Sequence, residues 1–185
     1  ALIMNKDYLE ELLSGESGHV MEIGAGEGFN TRVFCELSSA QRVIVVDPFE
    51  SCWDDDDIDE SYIKPYPSEQ WMRNVAQYEE KLLLVKKRSD DETVFDDLKD
   101  FGQIIFCFVD GIQKEENIVS DLSLLDKLNV KYICLDDWSR ESAMSQVKAG
   151  TMKFLDTNDN YEILEIREHN VGTGSIRDLC FLKRK

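Results

Sequence analysis

Histidine is scarce in this chain, with two residues in 185. There is no C-x-x-C pair either, so the sequence lacks a ligand cluster for a structural zinc. Positive charge is also in short supply. Lysine and arginine total 21 against 38 aspartates and glutamates, a formal net charge of −17. That balance opposes tight binding to a nucleic-acid backbone, which needs a positive surface. It still allows a small anionic ligand held by backbone N–H groups. No apolar run reaches the roughly 18 residues that a membrane span requires. Residues 1–7 contain no basic stretch followed by a long apolar one, so no secretory signal is expected. The expected partner is therefore a small molecule, with no nucleic acid and no membrane, and a homodimer is left open.

The five cysteines, Cys35, Cys52, Cys107, Cys134 and Cys180, are scattered. Cys107, Cys134 and Cys180 sit inside apolar runs. An odd number of core-like cysteines reads as reduced thiols, and a cytoplasmic location is the expectation.

What is present is a regular alternation of short apolar runs and amphipathic segments, without an internal repeat. The length fits a single domain over residues 1–185. Strands are expected at 19–23, 42–46, 82–85, 103–109 and 130–135. Helices are expected at 30–37, 68–80, 92–101, 114–128 and 139–155, with Ser68 as an N-cap. Residues 161–169 and 175–183 are extended in composition, and the linker 170–174 suits a hairpin. Five βα units followed by a hairpin give an α/β fold. Its seven-stranded sheet is mostly parallel and is covered by helices on both faces. On such a sheet, ligands bind at the carboxyl ends of the strands, near the point where strand order reverses.

One strand end stands out. Glu22-Ile23-Gly24-Ala25-Gly26-Glu27-Gly28 places glycines at alternate positions. They let the chain turn sharply and let a ligand approach the backbone without a Cβ in the way. The helix that follows offers N–H groups to an anion. The dinucleotide fingerprint is G-x-G-x-x-G. Here the spacing is G-x-G-x-G with an acid before it. This pattern resembles the first motif of the class I S-adenosylmethionine (SAM)-dependent methyltransferases. Asp47, at the end of the second strand, stands where that family places an acid on the ribose hydroxyls. A carboxylate is suited to accept both bonds. The plain alternative is a tight structural turn, and the sharper rival is a nicotinamide site.

The resemblance continues over about residues 18–140. Arg88-Ser89-Asp90-Asp91-Glu92-Thr93 follows the third strand. Phe108-Val109-Asp110-Gly111 ends the fourth, and Leu135-Asp136-Asp137-Trp138 ends the fifth. Together these look like the small macrocin-type sugar O-methyltransferases. The resemblance implies a Rossmann-like methyltransferase sandwich with SAM as cofactor. It implies cofactor contacts at Glu22, Gly24, Ala25, Gly26, Gly28, Asp47, Ser89 and Asp110. Two departures are visible. Arg88 stands where many of these enzymes have an acid, and Ile112-Gln113-Lys114 stand where the sugar enzymes carry an acid and a tyrosine.

Asp110, Asp136 and Asp137 close the ends of two strands expected to be neighbours. Packed like charges repel unless a proton or a cation intervenes. Mg²⁺ held by these three residues would relieve that repulsion and lower the pKa of a bound hydroxyl. Asp110 is also the candidate general base. The plain alternative is solvated carboxylates, with Asp137 capping a helix. The expected function is O-methylation of a small polar hydroxyl compound, a sugar among the candidates. A non-catalytic SAM-binding module and an NAD-dependent oxidoreductase are the alternatives.

Other features invite weaker readings. Asp54-Asp55-Asp56-Asp57 lacks the register of a calcium loop and reads as solvated. Trp53, Tyr62 and Tyr66 are candidates to cover the cofactor. Trp71 reads as core, and Trp138 as a substrate contact. His19 reads as structural, and His169 lies at the edge of the hairpin loop.

Overall fold

The computed structural model describes residues 4–49, 69–139, 145–170 and 176–185, leaving aside the side chains of 169, 170, 176 and 177. Cys52, the acidic run 54–57, Trp53, Tyr62, Tyr66, Ser68 and the hairpin tip 171–174 lie outside the described residues, as does the His169 side chain.

The chain runs α1 (Lys6–Leu12), β1 (Gly18–Ile23), α2 (Phe29–Cys35), β2 (Ala40–Val46) and α3 (Glu69–Val75). A 3₁₀ segment, Ala76–Lys81, leads into β3 (Leu82–Val85). Then follow α4 (Val94–Leu98), β4 (Ile104–Val109), α5 (Glu115–Lys127), β5 (Tyr132–Leu135), α6 (Val147–Thr157), β6 (Tyr161–Asn170) and β7 (Ile176–Arg184). The strands form one seven-stranded sheet in the order β3-β2-β1-β4-β5-β7-β6. The β1, β2, β3, β4 and β5 pairings are parallel, and β7 pairs antiparallel with both β5 and β6. The expected α/β class and closing hairpin are thus present.

Every residue of β4 is buried, as a central strand covered on both faces requires. Alternate side chains divide the core between those faces. Met21, Ile23, Cys107 and Val109 pack with Val94 of α4, Ile118 and Leu122 of α5 and Phe154 of α6. Val20, Phe106 and Phe108 pack with Leu9 of α1, Phe34 of α2 and Trp71 of α3. Cys35, Cys107, Cys134 and Cys180 are free and buried. Among the described residues no helix is long and apolar enough to cross a membrane.

Two elements differ from the sequence reading. α1 was not anticipated. Asn5 caps it by accepting the Tyr8 N–H at 3.0 Å, and Leu9 and Leu13 anchor it in the core. α6 starts at Val147 rather than at residue 139. Asp178 draws in the Ser139 N–H at 2.8 Å and the Ser139 hydroxyl, while its carbonyl accepts the Trp138 N–H at 3.1 Å. These bonds tie 138–139 to the start of β7.

The strand order reverses between β1 and β4, because β2 lies on one side of β1 and β4 on the other. The turn after β1 and the residues after β4 therefore flank the crevice where open α/β sheets hold their ligands.

Candidate functional site

The turn after β1 is built against its neighbours. The Gly24 N–H donates to the Val46 carbonyl at 3.0 Å, and the Asp110 N–H donates to the Ile23 carbonyl at 2.9 Å. Gly24 has φ +88°, and a Cβ there would collide with the Asp110 carbonyl group, 2.7 Å from its carbon. Only glycine lets these two backbones meet. Gly28, at φ +83°, caps α2, and a Cβ there would press on Trp71 Cδ1 at 2.9 Å. Gly26 is the contrast, because a Cβ there would meet nothing within 4 Å. Among the described residues, nothing packs on that side of Gly26 where a Cβ would stand.

Asp47 secures this turn from β2. One carboxylate oxygen accepts the Ala25 N–H at 2.8 Å, and the other accepts the Phe49 N–H at 2.7 Å. Phe49 is held at φ +55°, a left-handed conformation that costs a bulky residue energy. The Phe49 ring then meets Trp71 edge-on, with centroids 5.0 Å apart. Trp71 is a core residue, as the sequence suggested. A carboxylate has about four lone-pair sites, so these two backbone bonds leave capacity for ribose hydroxyls.

Glu22 lies behind the turn. It is 2% exposed, and its Oε2 accepts the Thr31 hydroxyl of α2. Burial pushes its carboxyl well above the usual range; the Thr31 bond opposes this in part, and the charges of Asp110 and Asp47 add to it.

The segment after β3 is organised internally. Arg88 grips Asp90 with two bonds, at 2.9 and 2.8 Å. Ser89 acts on the carboxyl of Asp121, a residue of α5 that is 1% exposed, and offsets part of the rise that burial causes there. Asn117 of α5 donates to Asp90 at 3.4 Å. The loop is thus tied to α5 through Asn117. Sequence reasoning missed Asp121, although a signal existed. It stands among Ile118, Leu122 and Leu125 on one helical stripe.

On the other side of the crevice, Asp110 is exposed at the end of β4, and Asp136 and Asp137 follow β5. The two strands are neighbours, as expected. Asp136 is committed locally: its N–H donates to the Val109 carbonyl at 3.2 Å, and its Oδ1 accepts the Asp137 N–H at 2.8 Å. Asp137 sits at φ +52°. The side-chain amide of Gln113 reaches both Asp137, at 3.2 Å, and Asp110, at 3.5 Å. Among the described residues, no group of three His, Cys, Asp or Glu side chains is gathered to hold a metal ion. Asp110, Asp136 and Asp137 are thus not gathered as a three-ligand group among the described residues. Trp138 is also differently placed from its expected substrate role. It is 4% exposed and packed in the core below β5. His19 is structural, with Nε2 2.7 Å from the Phe101 carbonyl.

No family model matches this chain. No curated protein matches it either. Solved structures do. An O-methyltransferase from Bacillus cereus in complex with S-adenosylhomocysteine (SAH) superposes with a TM-score of 0.66 at 15% identity, covering 97% of this chain and 80% of that one. TrmK from M. capricolum, also with SAH, gives 0.61 at 13%, covering 100% and 69%. An rRNA methylase from Streptococcus thermophilus gives 0.61 at 14%, covering 100% and 99%. The chain has the class I SAM-dependent methyltransferase fold. In this methyltransferase fold the Gly24–Gly28 turn, Asp47 and the loop holding Ser89 all lie at the carboxyl ends of parallel strands. Asp110 faces them from across the β1/β4 reversal.

Proposed function

We propose that this protein binds SAM at the Gly24–Gly28 turn and transfers its methyl group to a hydroxyl of a small polar molecule. The observation that carries the reading is the Gly24 turn, packed on the Asp110 backbone and tied to Asp47. Asp47 would take the ribose hydroxyls, and Ser89 and its loop the adenine side. Similar structures crystallised with SAH support the choice of cofactor.

SAM, when bound, supplies a methyl carbon bonded to a positively charged sulfur. Asp110, exposed beside the turn, would accept the hydroxyl proton of the acceptor. The acceptor oxygen then bonds to the methyl carbon while the carbon–sulfur pair leaves with sulfur. No step is routed through a metal ion, because Asp110, Asp136 and Asp137 do not form a three-ligand group.

Labelled methyl transfer from SAM across sugars, catechols, amines and RNA tests the activity. Incorporation into a hydroxyl compound is expected. An RNA acceptor is the second reading, since an rRNA methylase and TrmK share the fold. The net charge of −17 opposes it. Transfer to RNA alone would overturn the small-molecule assignment. Asp110→Asn should lower methyl transfer about 100-fold or more while SAH still binds, the range for loss of a general base. Unchanged transfer would remove Asp110 from this role.

Glu22 adds a pH signature. Burial pushes its carboxyl well above the ordinary range, and a cationic sulfur at the turn would lower it again. A ligand that lowers the pKa of a group releases protons on binding, so SAM affinity should rise with pH across the range in which Glu22 titrates. SAH lacks the sulfonium charge and should show a weaker trend. Calorimetry with both ligands from pH 6 to 9 checks this, and Glu22→Gln should flatten the difference between them.

A further inference from the structure

α3 brings two side chains to the turn after β1, Trp71 and Asn74, which lie one helical turn apart on the same face. Trp71 is the neighbour that a Cβ on Gly28 would strike, at 2.9 Å. Asn74 Nδ2 donates to the Glu27 carbonyl at 2.8 Å. A second bond fixes the orientation of that amide. Gln70, one helical turn earlier, donates its side-chain N–H to Asn74 Oδ1 at 3.3 Å. With its oxygen engaged as an acceptor, the Asn74 amide presents its N–H donors to the turn.

The carbonyl of Glu27 and the N–H of Gly28 belong to one planar peptide unit. That N–H donates to the Ala25 carbonyl at 3.1 Å. The unit is therefore held at both ends, by Asn74 at its oxygen and by Ala25 at its nitrogen. Such holding matters here, because Gly26 and Gly28 both take left-handed conformations, at φ +51° and +83°. Glycine leaves that region as readily as it enters it. On the other arm of the turn, Asp47 accepts the Ala25 N–H at 2.8 Å. The residue after β2 thus fixes the first arm, and α3 fixes the second. A binding surface ordered before its ligand arrives loses less freedom when the ligand binds. We infer that Asn74 is a positioning residue: aimed by Gln70, its amide sets the Glu27–Gly28 peptide and so pre-forms the turn that receives SAM. Asn74 acts through the turn, not on the reacting atoms. The inference rests on reading this turn as the cofactor site.

Asn74→Ala in the full chain, titrated with SAH by calorimetry, should bind about tenfold more weakly, the scale of one hydrogen bond lost. Asn74→Asp keeps the shape but, ionised, has no proton to donate, and should lose at least as much. A residue that only filled space would tolerate that change. Met72→Gly is the control for a weakened helix. Met72 lies on the outer side of α3, 55% exposed, so glycine there lowers helix propensity without touching the bond. It should lower Tm and leave SAH affinity unchanged. Amide hydrogen exchange adds a readout without ligand. The Gly28 N–H should exchange at least about tenfold faster in Asn74→Ala than in the wild type, and not in Met72→Gly. Unchanged SAH affinity in Asn74→Ala would overturn the inference, as would an equal loss in Met72→Gly. A folded wild type that takes up no SAH would instead remove the cofactor reading. The Gly28 exchange rate would then decide alone whether Asn74 orders the turn, and an unaltered rate would overturn that as well.

Discussion

Gly24→Ala is expected to abolish SAH binding and to destabilise the protein by roughly 2–5 kcal/mol. Two costs combine. The left-handed backbone at φ +88° penalises any Cβ by roughly 1–2 kcal/mol. The new methyl also meets the Asp110 carbonyl, which is backbone and cannot rotate away. Overpacking of this kind typically costs about 1–3 kcal/mol. For a chain of this length, about 2–4 °C per kcal/mol translates the sum into a fall of roughly 10 °C in Tm. Gly26→Ala is the matched control. It shares a positive φ, +51°, but its Cβ would meet nothing within 4 Å. Its Tm should fall by only a few degrees, while SAH affinity still drops because the methyl is added to the turn proposed to hold the ligand. Thermal unfolding with and without SAH separates the cases. Equal effects of the two substitutions on Tm would contradict the packing described for Gly24.

Asp121→Asn should raise stability above pH 7 and have little effect near pH 4. Burial pushes the Asp121 carboxyl up to about 7 from 3.8, the Ser89 bond opposing and the Asp90 charge adding. Its Oδ1 is buried with no hydrogen-bond partner. The Cys107 thiol of β4 also lies within electrostatic reach of it, and burial pushes that thiol up. The sign follows from linkage. The unfolded chain releases this proton near pH 4, whereas the folded chain keeps it until about pH 7. The stability this group contributes is complete below pH 4, declines as pH rises, and is gone above pH 7. A shift of about three units corresponds to at most ~4 kcal/mol. Asparagine stays neutral throughout and avoids that decline. The variant should therefore melt roughly 5–10 °C above the wild type at pH 8, and the two should converge towards pH 4. A variant less stable than the wild type at pH 8 would show instead that the ionised carboxylate is needed.

The parts of the fold that were legible in the sequence are those with a strong local period. β4 is apolar at every position because both faces are covered, and α5 repeats its apolar residues at helical spacing. The glycine turn was legible because its glycines answer steric demands at fixed positions. Asp47 was legible as a member of the site. Its bonds to Ala25 and Phe49 were not, since they depend on how β2 lies beside β1. The same limit explains the errors. Ser139, expected to open α6, is bonded instead to Asp178, which lies 39 residues away in sequence. Trp138 follows two acids, and so resembles a rim residue, but it turns into the core. The three aspartates were correctly placed at adjoining strand ends. Their failure to gather depends on Asp136 bonding its own neighbour and on Gln113 reaching across, and neither is written in spacing.

The central claim is that the turn after β1 holds SAM. Calorimetric titration of the full chain with SAH, SAM and NAD⁺ tests it most directly. The account predicts saturable binding of SAH and SAM, lost in Gly24→Ala, and none of NAD⁺. Binding of NAD⁺ without SAM or SAH would contradict it.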